Sequence, residues 1–227
     1  FGLFLLGAVY ATQSGMGAVF GTQIEMTADS IALFVAMLFA GALVLQYPIG
    51  WLSDRLDRRK VILGTAVMGA VACALGWVAG GNLVSSGDGN LWPIMAAAFF
   101  AGGMTTPLYA LLLAYTNDFL SAEDMPAASG GLVFTFGLGA ILGPLLTGWA
   151  MQGLGPNAFW LVIGATFVTM ALYAAYRMTQ RATPPAQETE AYLGVLPTAS
   201  AVAVEAAGTW SAEQAEPEDE TDTQPAS

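Results

Sequence analysis

Five stretches of this chain, 1–24, 30–53, 61–87, 89–117 and 125–176, contain no Asp, Glu, Lys or Arg, and the chain has no histidine at all. A helix crosses about 30 Å of hydrocarbon with about 20 residues, so each of the first four stretches is long enough for one membrane span. The fifth is twice that length and divides at Gln152-Gly153-Leu154-Gly155-Pro156-Asn157, a cluster of turn formers. Six spans follow, placed at 1–22, 31–50, 61–80, 92–115, 128–151 and 157–176. All six are helical, because lipid cannot satisfy the backbone groups of an open strand. The expected fold is therefore all-α, a polytopic membrane helix bundle. A secretory signal peptide over 1–22 is a poorer reading, since no basic segment precedes the apolar run and five more spans come after it.

Composition narrows the chemistry. Charged residues make up 10% of the chain and apolar ones 56%, whereas a soluble domain needs about a quarter of its residues charged. With no histidine and a single cysteine, Cys73, the chain cannot build a structural zinc site, a histidine-ligated haem pocket, an intrachain disulfide or a Ser-His triad. No cofactor and no metal site is implied, and an intramembrane hydrolase lacks both histidine and paired intramembrane carboxylates. Cys73 reads as a small apolar filler. The net charge of −11 belongs mostly to the last fifty residues, which hold nine acidic groups against one basic. Without a basic face, no nucleic-acid partner is expected.

Six cations decide the orientation. Arg55, Arg58, Arg59 and Lys60 lie between spans two and three, and Arg177 and Arg181 follow span six. Both places are on one side of the membrane, which the positive-inside rule makes cytoplasmic. Trp51, Trp92, Trp149 and Trp160 fall near span ends and are expected to anchor at the interfaces. From Met178 onward the chain is rich in Ala, Thr, Pro and Glu, a composition that does not bury enough apolar surface to fold. The expected organisation is a six-helix transmembrane domain over 1–177 and a disordered acidic cytoplasmic tail over 178–227.

Between spans two and three the chain reads Gly50-Trp51-Leu52-Ser53-Asp54-Arg55-Leu56-Asp57-Arg58-Arg59-Lys60. This resembles the G-x-L-x-D-R-x-G-R-R-K loop of the major facilitator superfamily, twelve-span secondary transporters built of two six-span halves. Gly50 permits close helix approach, Asp54 suits the positive end of a neighbouring helix, and Arg55, Arg58 and Arg59 can hold carboxylates or carbonyls. The resemblance implies that these contacts latch the cytoplasmic side in one transport state. Asp57 departs from the pattern: it stands where the family has glycine, and a tight turn there is expected to hold it in a left-handed conformation at some cost.

Span five carries Gly137-Leu138-Gly139-Ala140-Ile141-Leu142-Gly143-Pro144, similar to the G-x-x-x-G-P motif of proton-driven exporters in the same superfamily. Gly139 and Gly143 leave a smooth face for helix packing, and Pro144 removes a backbone bond. The resemblance implies two inverted three-helix repeats. It also implies a missing six-helix half of the same transporter as partner, with the lipid bilayer and a small-molecule substrate. The absence of an initiator methionine and the acidic end predict that this is the C-terminal half of a permease of the inner (plasma) membrane.

The family arrangement directs attention to the first span of each triplet. Tyr10, Gln13, Ser14 and Gly17 share one face of span one, and Gly102, Thr105, Tyr109, Leu112 and Thr116 share one face of span four. Such stripes are either cavity lining or interhelical hydrogen-bond glue; Tyr10, Gln13, Gly17, Thr105 and Tyr109 are the candidate substrate contacts, Gln13 and Tyr109 foremost. No ionisable group lies inside a span, which favours a small organic or amphipathic solute and leaves any coupling carboxylate to the other half. Asp118, with Glu123 and Asp124, is a candidate for a cytoplasmic gate, alongside a plain helix-end role. The expected function is secondary active transport by alternating access, with ion coupling. The rival is a six-span membrane scaffold or sensory protein acting through its acidic tail.

Overall fold

The computed structural model describes residues 1–86, 90–117 and 125–180, and it folds into six helices with no strand among those residues. They are α1 (Gly2–Gln23), α2 (Ala28–Ser53), α3 (Arg58–Ser86), α4 (Trp92–Asn117), α5 (Met125–Leu154) and α6 (Ala158–Gln180). All six are long and apolar enough to cross a membrane. Asp118, Glu123, Asp124 and residues 181–227 lie outside the described residues. The helix of span six runs on through Gln180, past the expected boundary at 177.

Local chemistry sets where the helices stop. α1 ends in a Schellman arrangement, with the Met26 N–H donating to the Gly21 carbonyl at 3.0 Å and Glu25 held at φ 60°. Thr27 then caps α2 by accepting from the Ser30 N–H at 3.3 Å. Gly155, at φ 86°, turns the chain between α5 and α6. Asp57 is not left-handed, contrary to expectation: Glu25 is the one non-glycine with positive φ among the described residues. Instead the Asp57 carboxylate accepts from the Arg59 N–H at 3.0 Å, and its carbonyl accepts from the N–H of Lys60 and Val61. Asp57 is the N-cap of α3, a position that favours aspartate over most residues.

The helices pack in a pattern with internal two-fold logic. α1 lies on α5 and α2 on α4; α1 also meets α6, as α4 meets α3; and α3 packs on α6. Exchanging the first three helices for the last three returns these contacts, as two inverted triplets require, but the contact of α1 with α2 has no equal between α4 and α5 among the described residues. The two main crossings are built from the same parts. A Cβ on Gly7 of α1 would run into the Phe136 carbonyl of α5, and one on Gly139 into the Phe4 carbonyl. A Cβ on Gly102 of α4 would run into the Leu38 carbonyl of α2, and one on Gly41 into the Phe99 carbonyl. Phe4 and Gly7 correspond to Phe99 and Gly102, 95 residues on, whereas Leu38 and Gly41 correspond to Phe136 and Gly139, 98 residues on.

α4 is the interior helix: 72% of its span is buried, against 17% for α5. The core near the α1–α2 turn is aromatic, with Phe20 stacked on Phe159 at 4.9 Å and Trp160 edge-on to both Phe20 and Phe34. Trp160 is thus not an interfacial anchor. Its indole is 1% exposed and fills the space beside Gly76 of α3, whereas Trp51, Trp92 and Trp149 are open to the surroundings. Cys73 is buried in the core, its Cβ against Gly164 of α6.

Candidate functional site

Gln13 sits where α1 crosses α4, with its side chain 5% exposed. The Thr105 hydroxyl lies 3.0 Å from Gln13 Oε1 and 2.9 Å from the Ala101 carbonyl one turn back. A hydroxyl has one proton, so it donates to one of these oxygens at a time. The other end of the Gln13 amide, Nε2, is buried and has no hydrogen-bond partner among the described residues. Beside it is a slot of about 20 Å³ lined by Tyr10, Ser14, Phe39 and Thr106 among others, room for about one water-sized group.

The remaining stripe residues are drawn together by Phe136 of α5. Tyr109 meets that ring edge-on at 5.4 Å and Tyr10 lies 6.0 Å from it, so one aromatic side chain separates the two tyrosines. Tyr109 is 9% exposed and Thr105 1%. Gly17, two turns from Tyr10, is buried against Phe34 and Leu38 of α2. Thr12 and Thr147 pair their hydroxyls at 3.2 Å inside the α1–α5 contact. In this conformation the α4 stripe is packed inside the six-helix unit, and α1 carries the open face: Ser14, Gly15, Ala18 and Thr22 are exposed. Reading by stripe missed Phe136, Thr106 and Phe39. Phe136 and Phe39 lie on faces that are apolar by sequence, so their signal is tertiary, whereas Thr106 sits at the edge of the α4 stripe, about 40° from Gly102 at about 100° per residue.

The α2–α3 loop stands apart from these residues, at the end of the bundle where α1 begins and α4 and α6 finish. Gly50 is buried and its carbonyl accepts from the Asp54 N–H at 3.1 Å, which ends α2. Asp54 is exposed at the C-cap. Arg55 lies over the Trp51 ring, 4.0 Å from its centroid. Arg58 and Arg59 are each 6% exposed, and Arg59 reaches to 5.6 Å above the Tyr115 ring of α4. Burial of two guanidinium groups is costly unless they are engaged, so the loop is tied into the helix bundle and not merely solvated. Gly139 and Gly143 meet α1 at Phe4 and Ala8, and α5 is continuous through Pro144.

Comparison with known proteins settles the family. The profile of the Major Facilitator Superfamily matches residues 1–212. The chain belongs to the major facilitator superfamily. The MFS-type transporter YfkF of Bacillus subtilis is 28% identical over 172 residues, covering 75% of this chain and 40% of that protein. The MFS-type transporter YE1530 of Yersinia enterocolitica is 23% identical over 183 residues, 79% of this chain and 43% of the relative. A third, Ent638_1421 of an Enterobacter, is 22% identical over 82% of this chain and 45% of its own length. The chain therefore spans less than half the length of these bacterial relatives. No solved structure matches. As a member of this superfamily with six helices long and apolar enough to cross a membrane, it is a multi-pass membrane protein.

Proposed function

We propose that this six-helix unit is one half of a secondary active transporter that moves a small organic solute by alternating access, with the ion-coupling group on the other half. The observation that carries the reading is the Gln13–Thr105 pair. It joins the first helices of the two triplets, and it leaves one buried amide donor without a partner among the described residues, on a side chain that lines a slot without charged walls. A neutral acceptor on a solute can take that donor, while the flanking rings of Tyr10 and Phe39 cover its apolar part. The exposed small residues of α1 fit a face that meets the second half or the solute path. The match covers only 40% and 43% of the first two relatives, which supports that second half.

In this reading the α2–α3 loop lies on the cytoplasmic face of a bacterial inner membrane. Arg55, Arg58, Arg59 and Asp54, with Asp118, hold that side closed in one state, and Gly139, Gly143 and Pro144 let α5 slide on α1. The acidic residues after Gln180 are then cytoplasmic.

The test is flux in proteoliposomes containing the full-length protein. With a panel of neutral and amphipathic solutes, at least one is expected to be carried. Gln13→Ala should raise KM for it about tenfold or more, the size of one lost hydrogen bond to a buried group. Absence of flux for every solute under an imposed ion gradient contradicts the reading.

A further inference from the structure

A cavity larger than the slot at Gln13, about 230 Å³, lies at the end of the bundle that carries the α2–α3 loop. Five helices meet around it, all except α2. It lies about two to three helical turns from the slot along both α1 and α4. Its walls are mostly apolar, including Leu112, Leu132 and Met170, and two guanidinium side chains enter it, Arg59 and Arg177. Among the described residues no Asp or Glu lines it. Arg177 is half-buried and makes no ion pair with the described residues.

This combination is selective. Thr116 and Thr135 donate their hydroxyl protons back to the Leu112 and Gly131 carbonyls, so the wall's charged donors are the guanidinium groups, beside the phenols of Tyr115 and Tyr173. A neutral apolar ligand would strip water from the half-buried Arg177 and return nothing. A small hydrophilic anion would satisfy the charge and leave the apolar wall wet. A molecule with an anionic head and an apolar chain satisfies both, and the volume sits just under the range of about 300–1,000 Å³ for small-molecule sites.

We propose that this cavity is a second ligand site, for an anionic amphiphile whose carboxylate or phosphate pairs with Arg177 beside Arg59. Its chain lies along Leu112, Leu132 and Met170. The proposal stands apart from the transport reading, since binding here needs neither flux nor a second half that moves.

The experiment is a fluorescence titration of the full-length protein, purified in a neutral maltoside detergent, with a dansyl-labelled fatty acid. Saturable binding is expected, displaced by oleate, by phosphatidylglycerol, or by both, but not by inorganic phosphate or dodecanol. Displacement by oleate alone identifies a free fatty acid, and displacement by phosphatidylglycerol a lipid headgroup. Arg177→Gln should weaken binding about tenfold or more, while Arg177→Lys keeps most of it. Leu132→Trp, which fills the cavity and leaves every charge in place, should weaken it to the same degree; this variant carries the test if Arg177→Gln does not fold. Equal displacement by dodecanol, or unchanged binding in Arg177→Gln and Leu132→Trp, overturns the proposal. So does binding that appears only after residues 181–227 are removed, which would make the acidic segment the occupant.

Discussion

Asp57 and Glu25 show how single residues set the ends of helices in a chain with few polar groups to spare. Asp57 caps α3 through the Arg59 N–H. Its replacement by alanine should cost about 1 kcal/mol and by glycine only a few tenths, read as melting temperature in detergent. A left-handed Asp57 would instead make glycine the stabilising choice, so the sign of Asp57→Gly separates the two accounts. Glu25 is the residue that does carry a positive φ. Glu25→Gly relieves that conformation and should raise stability by about 1 kcal/mol. These positions were only half legible in the sequence. The loop around Asp57 was recognisable from Gly50, Asp54 and the basic run. The conformation of Asp57 was not, because the family pattern of glycine at that place suggested a turn where this chain begins a helix.

At the scale of the element, the fold rests on backbone meeting backbone. In lipid no hydrophobic force drives helices together, so close approach at small residues carries the packing. Gly41 and Gly139 play the same part at the two equivalent crossings. Gly41→Ala and Gly139→Ala should each lose about 2–3 kcal/mol, and by similar amounts, since a methyl group at either site strikes a carbonyl. Gly64→Ala and Gly137→Ala are the controls. Both sites are helical with no atom near the added methyl, and alanine there should be neutral or stabilising by up to about 1 kcal/mol. All six spans could be read from charge-free runs, and the glycine face of span five from its spacing. The internal repeat could not. α1 and α4 share only Phe4/Phe99 and Gly7/Gly102 at their offset, and although α2 and α5 share Gly41/Gly139, Gly50/Gly148 and Trp51/Trp149 at theirs, the two offsets differ by three residues, so no single one aligns the triplets. Trp160 shows the same limit: its place near a span end suggested an anchor, and only the packing of α3 on α6 reveals a core residue.

For the whole molecule, helices related by the internal two-fold have similar burial except for one pair. α2 and α5 are 22% and 17% buried over their spans and α3 and α6 are 44% and 39%, but α1 and α4 are 44% and 72%. The difference is the open face of α1, where Ser14, Gly15, Ala18 and Thr22 stand exposed. The exposed surfaces of α2 and α5 carry large side chains, among them Leu43, Val44, Leu145 and Leu146. Beside Val19, the open face of α1 is small and hydroxyl-bearing, as the proposed solute path requires. The polar stripes were legible as stripes, but which of the two stays open is a property of the packed bundle.

The most direct test of the central claim is thiol accessibility at that face in the full-length protein. Cys73 would first be replaced by alanine, and Ser14→Cys and Ala18→Cys then treated with a membrane-impermeant thiol reagent from each side of sealed vesicles. Alternating access predicts that labelling of both sites from a given side changes severalfold when solute or an ion gradient is applied, while a Leu43→Cys control stays unreactive. Labelling that is absent, or the same under every condition, would contradict the account.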